Sequence, residues 1–148
     1  MPREKSAGVI IFRRENNILY YLLLHYGPGH WGFAKGHVEG SETEEETARR
    51  ETAEETGIND LQIMPGFKKI EKYFFRKSYG LKGEARKKAP WVFKFVTFFV
   101  AETKTKEVEI SHEHTGYVWL PVDEAIKKTT FKNSKKLLKE ANDFILQK

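Results

Sequence analysis

A short acidic segment constrains the fold of this chain more than any other part of its sequence. Between Glu42 and Ile58 it holds seven of the 21 acidic and two of the 26 basic residues, so the segment carries −5 and the remainder +10. A helix is predicted over residues 42–56, because Ser41 can cap its N-terminus and Gly57 can end it. A strip of carboxylates on a basic body suits a metal-assisted site for a polyanionic substrate.

The composition bounds the size and class of the protein. The chain has 148 residues, of which 39% are hydrophobic, and we therefore expect a single domain over residues 1–148. The sequence has no cysteine, which excludes disulfides, thiolate catalysis and cysteine-bound metal centres. The apolar run near the N-terminus is too short for a signal sequence or a membrane span, so we expect a cytoplasmic protein without a membrane partner.

Apolar runs along the chain predict a sheet with helices packed on it. The predicted strands cover residues 6–14, 18–26, 61–75, 89–102 and 116–120, and the third is broken near Pro65 and Gly66. Helices are predicted over residues 121–127 and 132–147, and four glycines predict an irregular loop over residues 27–36. The last helix would bury Leu137, Leu138, Ala141, Phe144 and Ile145. This mixture, without a βαβ rhythm, favours an α+β fold: an α/β/α sandwich with a mixed β-sheet between helices.

Three carboxylates share one face of the acidic helix. At 100° per residue, Glu54 and Glu55 lie within an arc of roughly 100° that includes Glu51. Each pair with Glu51 repels by about 0.2 to 0.5 kcal/mol, and divalent cations would remove this repulsion. Because the arginines mainly neutralise the first half of the helix, we expect this face to stay mostly uncompensated. A solvated helix without ligands is the alternative, and the composition alone is compatible with both.

The other faces of the acidic helix have structural interpretations. Ala48, Thr52 and Thr56 are small, which would let the helix lie close against a sheet. Glu42 lies about 180° from Glu51 and therefore cannot share its face. We interpret Glu42 as a partner of Arg50.

The spacing of these residues resembles a known catalytic motif. The Nudix box, G-x5-E-x7-R-E-U-x-E-E-x-G-U with U bulky and apolar, is matched by Gly36, Glu42, Arg50, Glu51, Glu54, Glu55, Gly57 and Ile58. Thr52 is the one departure, at a U position. The stretches HWGFAKGHVEGSE, RETAEETGI, GFKK, SHEH and FKNSKKLLKEANDFI further resemble the asymmetrical diadenosine tetraphosphate hydrolases, or bis(5′-nucleosyl)-tetraphosphatases, over nearly the whole chain.

This resemblance implies a Nudix-type fold and a hydrolase that uses Mg²⁺, with Mn²⁺ as an alternative ion. The implied metal ligands are Glu51, Glu54, Glu55 and Glu113. The implied catalytic residues are Glu54, Glu55, Glu113 and His37, and one of the glutamates would activate the attacking water. Structural roles within the motif fall to Gly36, Glu42, Arg50 and Gly57.

The resemblance also implies how a nucleotide would bind. Lys35 and His37 would contact phosphate, and Lys94 would face the phosphates from a strand. Tyr73 and Phe131 would sandwich an adenine; ring stacking accepts any base, so this contact would support affinity more than selectivity. Each ring has a plain alternative role in the core, and Glu113 has one as an ordinary acidic loop residue.

Three functional hypotheses follow. The first is hydrolysis of diadenosine tetraphosphate, a small-molecule substrate, to ATP and AMP by a monomer. The second is a Nudix pyrophosphohydrolase acting on RNA 5′ ends or on other nucleoside polyphosphates, which the six basic residues in the loop over residues 76–88 would also serve. This loop is either a phosphate-gripping flap or a solvated segment. The third is a non-catalytic nucleotide-binding module, and the complete set of box glutamates argues against it.

Overall fold

The computed structural model describes residues 3–27, 29–76 and 81–147. In chain order the elements are β1 (Arg3–Glu15), β2 (Ile18–Tyr26), β3 (His30–Gly32), β4 (Ala34–His37), α1 (Glu44–Thr56), β5 (Gln62–Ile63), β6 (Lys69–Arg76), α2 (Gly83–Lys87), β7 (Trp91–Glu102), β8 (His114–Pro121), α3 (Val122–Lys128) and α4 (Lys132–Leu146). The described strands form one eight-stranded sheet, in which β3, β2, β1, β7 and β5 are neighbours in that order. Strand β4 pairs with β1, β6 with β7, and β8 with β2.

Strand β1 lies at the centre of this mixed sheet. It runs parallel to β7 and antiparallel to β2 and β4. Its apolar residues alternate between two cores, as expected for a strand covered on both faces. Ile10 and Phe12 pack in the core that includes Leu138 of α4, whereas Val9 and Ile11 pack in the core that includes Ala48 of α1.

Helices therefore cover both faces of the sheet. Helices α3 and α4 contribute Ala125, Leu137, Leu138, Ala141 and Ile145 to the first core. Helix α1 lies on the opposite face, and its small residues Ala48, Thr52 and Thr56 are fully buried there. The predicted α/β/α sandwich is confirmed. Phe144, which the last helix was predicted to bury, is only partly buried.

Helix α1 begins two residues later than predicted. Its N-cap is Thr43 rather than Ser41, because the Thr43 side chain accepts a hydrogen bond from the Glu46 amide while the Glu46 carboxylate accepts one from the Thr43 amide. This reciprocal capping box satisfies two amides at the start of the helix. Gly57 ends the helix as predicted, with a left-handed φ of 76°.

The predicted irregular loop over residues 27–36 is wrong from residue 30 onward. Strands β3 and β4 lie there, each held by pairing with a longer strand. The break near Pro65 and Gly66 is confirmed, because β5 ends at Ile63 and β6 begins at Lys69. The predicted loop over residues 76–88 contains α2, and residues 77–80 of it lie outside the described residues. Within the described part of the chain, no helix is long and apolar enough to cross a membrane.

Candidate active site

Arg50 organises the acidic residues around α1. Its Nε and Nη2 atoms donate to the carboxylate of Glu42 at 2.7 and 3.1 Å, and this contact holds the pKa of Glu42 at about 2. Its Nη2 also donates to the backbone carbonyl of His37 at 2.9 Å. Its Nη1 lies 3.0 Å from Glu51 and 3.3 Å from Glu54. We call Arg50 with Glu51, Glu54 and Glu55 the carboxylate edge.

The expectation that all three carboxylates stay mostly uncompensated is wrong for Glu51 and Glu54. Arg50 reaches both, because its guanidinium has enough donors to hold several acceptors at once. The expectation holds for Glu55, whose contacts are to neutral or neighbouring acidic groups.

Glu55 is buried at the centre of the carboxylate edge. Its Oε1 accepts a hydrogen bond from the Tyr26 hydroxyl at 3.3 Å and lies 3.2 Å from Nε2 of His114. Its Oε2 is buried and has no hydrogen-bond partner within the described residues. Burial, and then the neighbouring Glu51 carboxylate, raise the pKa of Glu55 to about 9. A cation at this position would offset both effects.

Gly36 leaves space for a carboxylate. It lies in β4 beside α1, and a Cβ atom added to it would lie only 2.0 Å from the Cδ atom of Glu51. The close approach at Gly36 is therefore to the side chain of Glu51. Any larger residue would push this carboxylate out of its place.

A cavity of about 480 Å³ lies beside the carboxylate edge, and we call it the aromatic cavity. Its polar and aromatic lining includes Tyr26, His30, Lys35, Tyr73, Lys94 and Phe131. Burial, and then the positive charge of Lys94, lower the pKa of Lys35, so an anion between the two lysines would be favoured. Phe131 is 54% exposed, and Tyr73 is half-buried against the first core.

Comparison with known families identifies this arrangement. The family model of the NUDIX domain matches residues 2–141. The chain belongs to the Nudix family. It is 39% identical over 153 residues to the asymmetrical bis(5′-nucleosyl)-tetraphosphatase of Rattus norvegicus, with 95% of each chain covered. It is 32% identical over 143 residues to the protein of the same name from Caenorhabditis elegans, with 95% of this chain and 96% of that one covered.

A solved structure agrees with these relatives. The crystal structure of a C. elegans Ap4A hydrolase binary complex matches with a TM-score of 0.80 and 28% identity. The match covers 98% of this chain and 99% of that one. The Nudix fold is thus shared along nearly the whole length.

The structure brings most of the predicted Nudix site residues together. Lys35, Tyr73, Lys94 and Phe131 all line the aromatic cavity. Glu113 is exposed, and its charge is near enough to Glu55 to raise the pKa of that carboxyl. His37 is the exception, because its side chain is exposed and does not line the cavity, and its backbone carbonyl is the group that contacts Arg50.

The donor set of the Nudix box fits a divalent cation. No three carboxylate or imidazole groups within residues 3–27, 29–76 and 81–147 are arranged to hold a metal ion. Such a group does not form here because Glu51 and Glu54 point toward Arg50. The carboxylate oxygens are nevertheless ligands of the kind that Mg²⁺ prefers, and Oε2 of Glu55 is a buried acceptor with no hydrogen-bond donor among the described residues. A cation would compete with Arg50 for two of these carboxylates.

The departure from the Nudix box at Thr52 is accommodated by packing. Thr52 is fully buried, and its hydroxyl has no hydrogen-bond partner within the part of the chain that the structure describes. A bulky apolar residue would fill this position without a polar atom. The cost of a buried, unpaired hydroxyl is about 1 to 3 kcal/mol, so Thr52 stabilises the fold less than a bulky apolar residue would.

Sequence reasoning missed three aromatic site residues, Tyr26, His30 and His114. The Tyr26 and His30 rings are stacked with centroids 4.7 Å apart, and the His30 ring lies 5.0 Å from that of Phe131. His114 meets Tyr26 edge-on at 4.4 Å. Their sequence signals were weak: Tyr26 ends the second predicted strand, whereas His30 and His114 lie in the quoted stretches HWGFAKGHVEGSE and SHEH without a role of their own.

Proposed function

We propose that this Nudix protein hydrolyses diadenosine tetraphosphate to ATP and AMP, with Mg²⁺ as the cofactor and Mn²⁺ as an alternative ion. The observation that carries the proposal is the position of Tyr26. Its ring lines the aromatic cavity, while its hydroxyl lies 3.3 Å from Oε1 of Glu55 on the carboxylate edge. A nucleotide in the cavity would therefore extend its phosphates toward the acidic residues. The printed names of the rat and nematode relatives support the same substrate.

The aromatic cavity would bind one nucleoside and the phosphates next to it. Tyr73 and Phe131 would stack on adenine, a contact worth about 1 to 3 kcal/mol per base. Lys35 and Lys94 would hold phosphate oxygens, since an anion relieves their mutual repulsion. The first turn of α4 forms part of the cavity wall and contains no acidic residue, which suits an anionic ligand.

The carboxylate edge would hold the cation and accept a proton. Nudix hydrolases generally use a divalent metal, and here Glu51, Glu54, Glu55 and Glu113 would be its ligands. When bound, Mg²⁺ supplies Lewis-acid chemistry, since it offsets phosphate charge and makes a water molecule more acidic. His37 lies beside the edge and remains a proposed phosphate contact.

The reaction would be a direct displacement by water. The water oxygen forms a bond to one of the two phosphorus atoms that flank the oxygen between the first and second phosphates. The bond from that phosphorus to the bridging oxygen breaks, and the leaving phosphate keeps the electron pair. The proton of the water passes to Glu54, Glu55 or Glu113. The chain has no cysteine, which excludes a thiol nucleophile.

We further propose that residues 1–148 form one Nudix domain that acts as a monomer in the cytoplasm. The lack of cysteine suits a reducing compartment. The basic loop over residues 76–88 was the feature that would serve the alternative substrate, an RNA 5′ end. None of the described residues of this loop lines the aromatic cavity, so no contact there favours RNA.

Product analysis tests the proposal. Diadenosine tetraphosphate incubated with the protein and Mg²⁺ should give ATP and AMP in equal amounts by ion-exchange chromatography. Omission of Mg²⁺, or its removal with a chelator, should abolish the reaction. Formation of two ADP would contradict the asymmetric cleavage. Faster turnover of triphosphorylated RNA at equal concentration would favour the alternative substrate.

A further inference from the structure

The segment that carries Glu113 is fastened to the end of α1. The Glu109 amide donates to the carbonyl of Thr56 at 2.9 Å, and the Ser111 amide donates to the carbonyl of Glu55 at 3.2 Å. The amide of His114 donates back to the carbonyl of Ser111 at 3.1 Å. The backbone on both sides of Glu113 is therefore fixed relative to the carboxylate edge.

The His114 side chain continues this attachment inside the protein. Its ring is 0% exposed and packs edge-on against Tyr26. Its Nδ1 lies 3.1 Å from the Ser111 hydroxyl, and its Nε2 lies 3.2 Å from Oε1 of Glu55. A neutral imidazole whose Nδ1 accepts from the Ser111 hydroxyl carries its proton on Nε2, the atom that faces Glu55.

The two oxygens of Glu55 have different surroundings. Oε1 lies between the Tyr26 hydroxyl and Nε2 of His114, at 3.3 and 3.2 Å. Oε2 is buried and has no hydrogen-bond partner among the described residues, and Nε2 of His114 lacks full hydrogen-bond geometry. A small rotation of the carboxylate would complete the bond to Nε2 and leave Oε2 for a cation.

We propose that His114 is a positioning residue that, oriented by Ser111, holds Oε1 of Glu55 so that Oε2 is presented to the divalent cation. A phenyl ring would make the same edge contact with Tyr26 without burying two nitrogen atoms. The nitrogens are costly in a dry site unless they have a task. Partners of this kind commonly orient metal ligands, and their loss typically weakens metal affinity 10- to 100-fold. The inference rests on the proposed function, because it concerns the same cation site.

Two substitutions of equal length separate orientation from packing. His114→Gln can place an amide donor near the position of Nε2, whereas His114→Met fills similar space without a donor. Binding of Mn²⁺ alone to the nucleotide-free protein, followed by electron paramagnetic resonance, should weaken about tenfold in His114→Met. In His114→Gln it should stay within about threefold of wild type. His112→Gln, an exposed neighbour, is the matched control and should bind as wild type does.

Ser111→Ala provides a test that leaves the His114 ring in the core. Loss of the Ser111 hydroxyl frees the imidazole tautomer, so Mn²⁺ affinity should fall in the same direction by about threefold. With diadenosine tetraphosphate, kcat should fall in His114→Met while KM changes less than threefold, because the aromatic cavity keeps its lining.

Equal Mn²⁺ affinities of His114→Met and wild type, with only a lower melting temperature, would assign His114 to packing and overturn the inference. If His114→Met does not fold, unchanged affinity in both Ser111→Ala and His114→Gln overturns it as well, because the first must weaken binding. Failure of the proposed function has a different signature: wild type would bind Mn²⁺ yet give no ATP and AMP. In that case the order of Mn²⁺ affinities among the variants still tests His114.

Discussion

At the carboxylate edge, Arg50 holds Glu42, Glu51 and Glu54 within 3.3 Å, whereas in the aromatic cavity Phe131 leaves 54% of its surface exposed. The edge is built from charges that have partners or are buried. The cavity is built from rings and lysines that a ligand would complete. The reacting part of a polyphosphate needs fixed groups around it, whereas its base needs only an adaptable surface.

Tyr26 and His30 connect the two regions. The Tyr26 hydroxyl has one proton to share between two acceptors, the Phe33 carbonyl at 2.5 Å and Oε1 of Glu55 at 3.3 Å, and both contacts fix its ring. His30 stacks on that ring and reaches toward Phe131. Substitutions at the carboxylate edge should mainly change kcat, and substitutions in the aromatic cavity should mainly change KM.

The largest effect is expected at the buried end of the carboxylate edge. Glu55→Gln keeps the shape of the side chain and removes the charge, so kcat for diadenosine tetraphosphate should fall on the order of a thousandfold. The fold should persist, because the raised pKa of Glu55 means that burial already opposes its charge. Glu45→Gln, on the exposed side of the same helix, is the control and should retain activity. Full activity in Glu55→Gln would remove Glu55 from the metal ligands.

Gly36→Ala should disturb the carboxylate edge although it replaces no charged residue. The new Cβ would lie 2.0 Å from Cδ of Glu51, and the flexible carboxylate would move aside rather than the backbone. A misplacement of about 1 Å can cost about 100-fold in rate, so kcat should fall by about that factor while the melting temperature changes little. Steady-state kinetics and thermal denaturation measure the two quantities. A large loss of stability at unchanged kcat would mean that the backbone, not Glu51, yields.

The sequence predicted the long strands of the fold but not the short strands β3 and β4. The long apolar runs of β1, β2 and β7 predicted the centre of the sheet, because continuous hydrophobic strands have few other solutions. Strands β3 and β4 have three and four residues in a glycine-rich stretch and form only through pairing with β2 and β1. Such short strands depend on tertiary contacts, which local sequence does not contain.

The start of α1 was ambiguous for a local reason. Both Ser41 and Thr43 are followed by a glutamate three residues later, so each fits the capping-box pattern. Glu42 decides between them, because its carboxylate accepts from Arg50, the Thr47 hydroxyl and the Glu39 amide. Those contacts hold Glu42 outside the helix.

The candidate site was predictable where its residues share one helix or one motif. The spacing of Glu51, Glu54 and Glu55 follows from helix geometry alone. The contact between Tyr26 and His114 depends on the register of β2 with β8, which includes a shift between His25 and Tyr26. A register shift of this kind leaves no pattern in the sequence, so only the structure shows that His114 lies against Tyr26.

The cavity should respond through binding rather than rate. Phe131→Ala removes one proposed stacking surface worth about 1 to 3 kcal/mol, so KM for diadenosine tetraphosphate should rise about tenfold with kcat within a factor of about three. Leu146→Ala, which alters a residue that is 67% exposed at the far end of α4, is the control and should leave both constants unchanged. A fall in kcat comparable with that of Gly36→Ala would show that the ring also sets the position of the reacting phosphate, and the contrast between the two regions would fail.

The smallest effect on catalysis is expected at the other glycine of the motif. Gly57 adopts a φ of 76°, and a Cβ there would meet Glu109 at an ordinary contact distance of 3.6 Å. Gly57→Ala should therefore lower the free energy of unfolding by about 1 to 2 kcal/mol through backbone strain alone. Chemical denaturation measures this loss. Gly29→Ala should show none, because Gly29 has no positive φ and a Cβ there would meet none of the described residues within 4 Å. Because Gly57 contacts no group of the carboxylate edge, kcat should be unchanged. A fall in kcat in the folded variant would mean that the attachment of residues 109–114 to α1 transmits strain to Glu55.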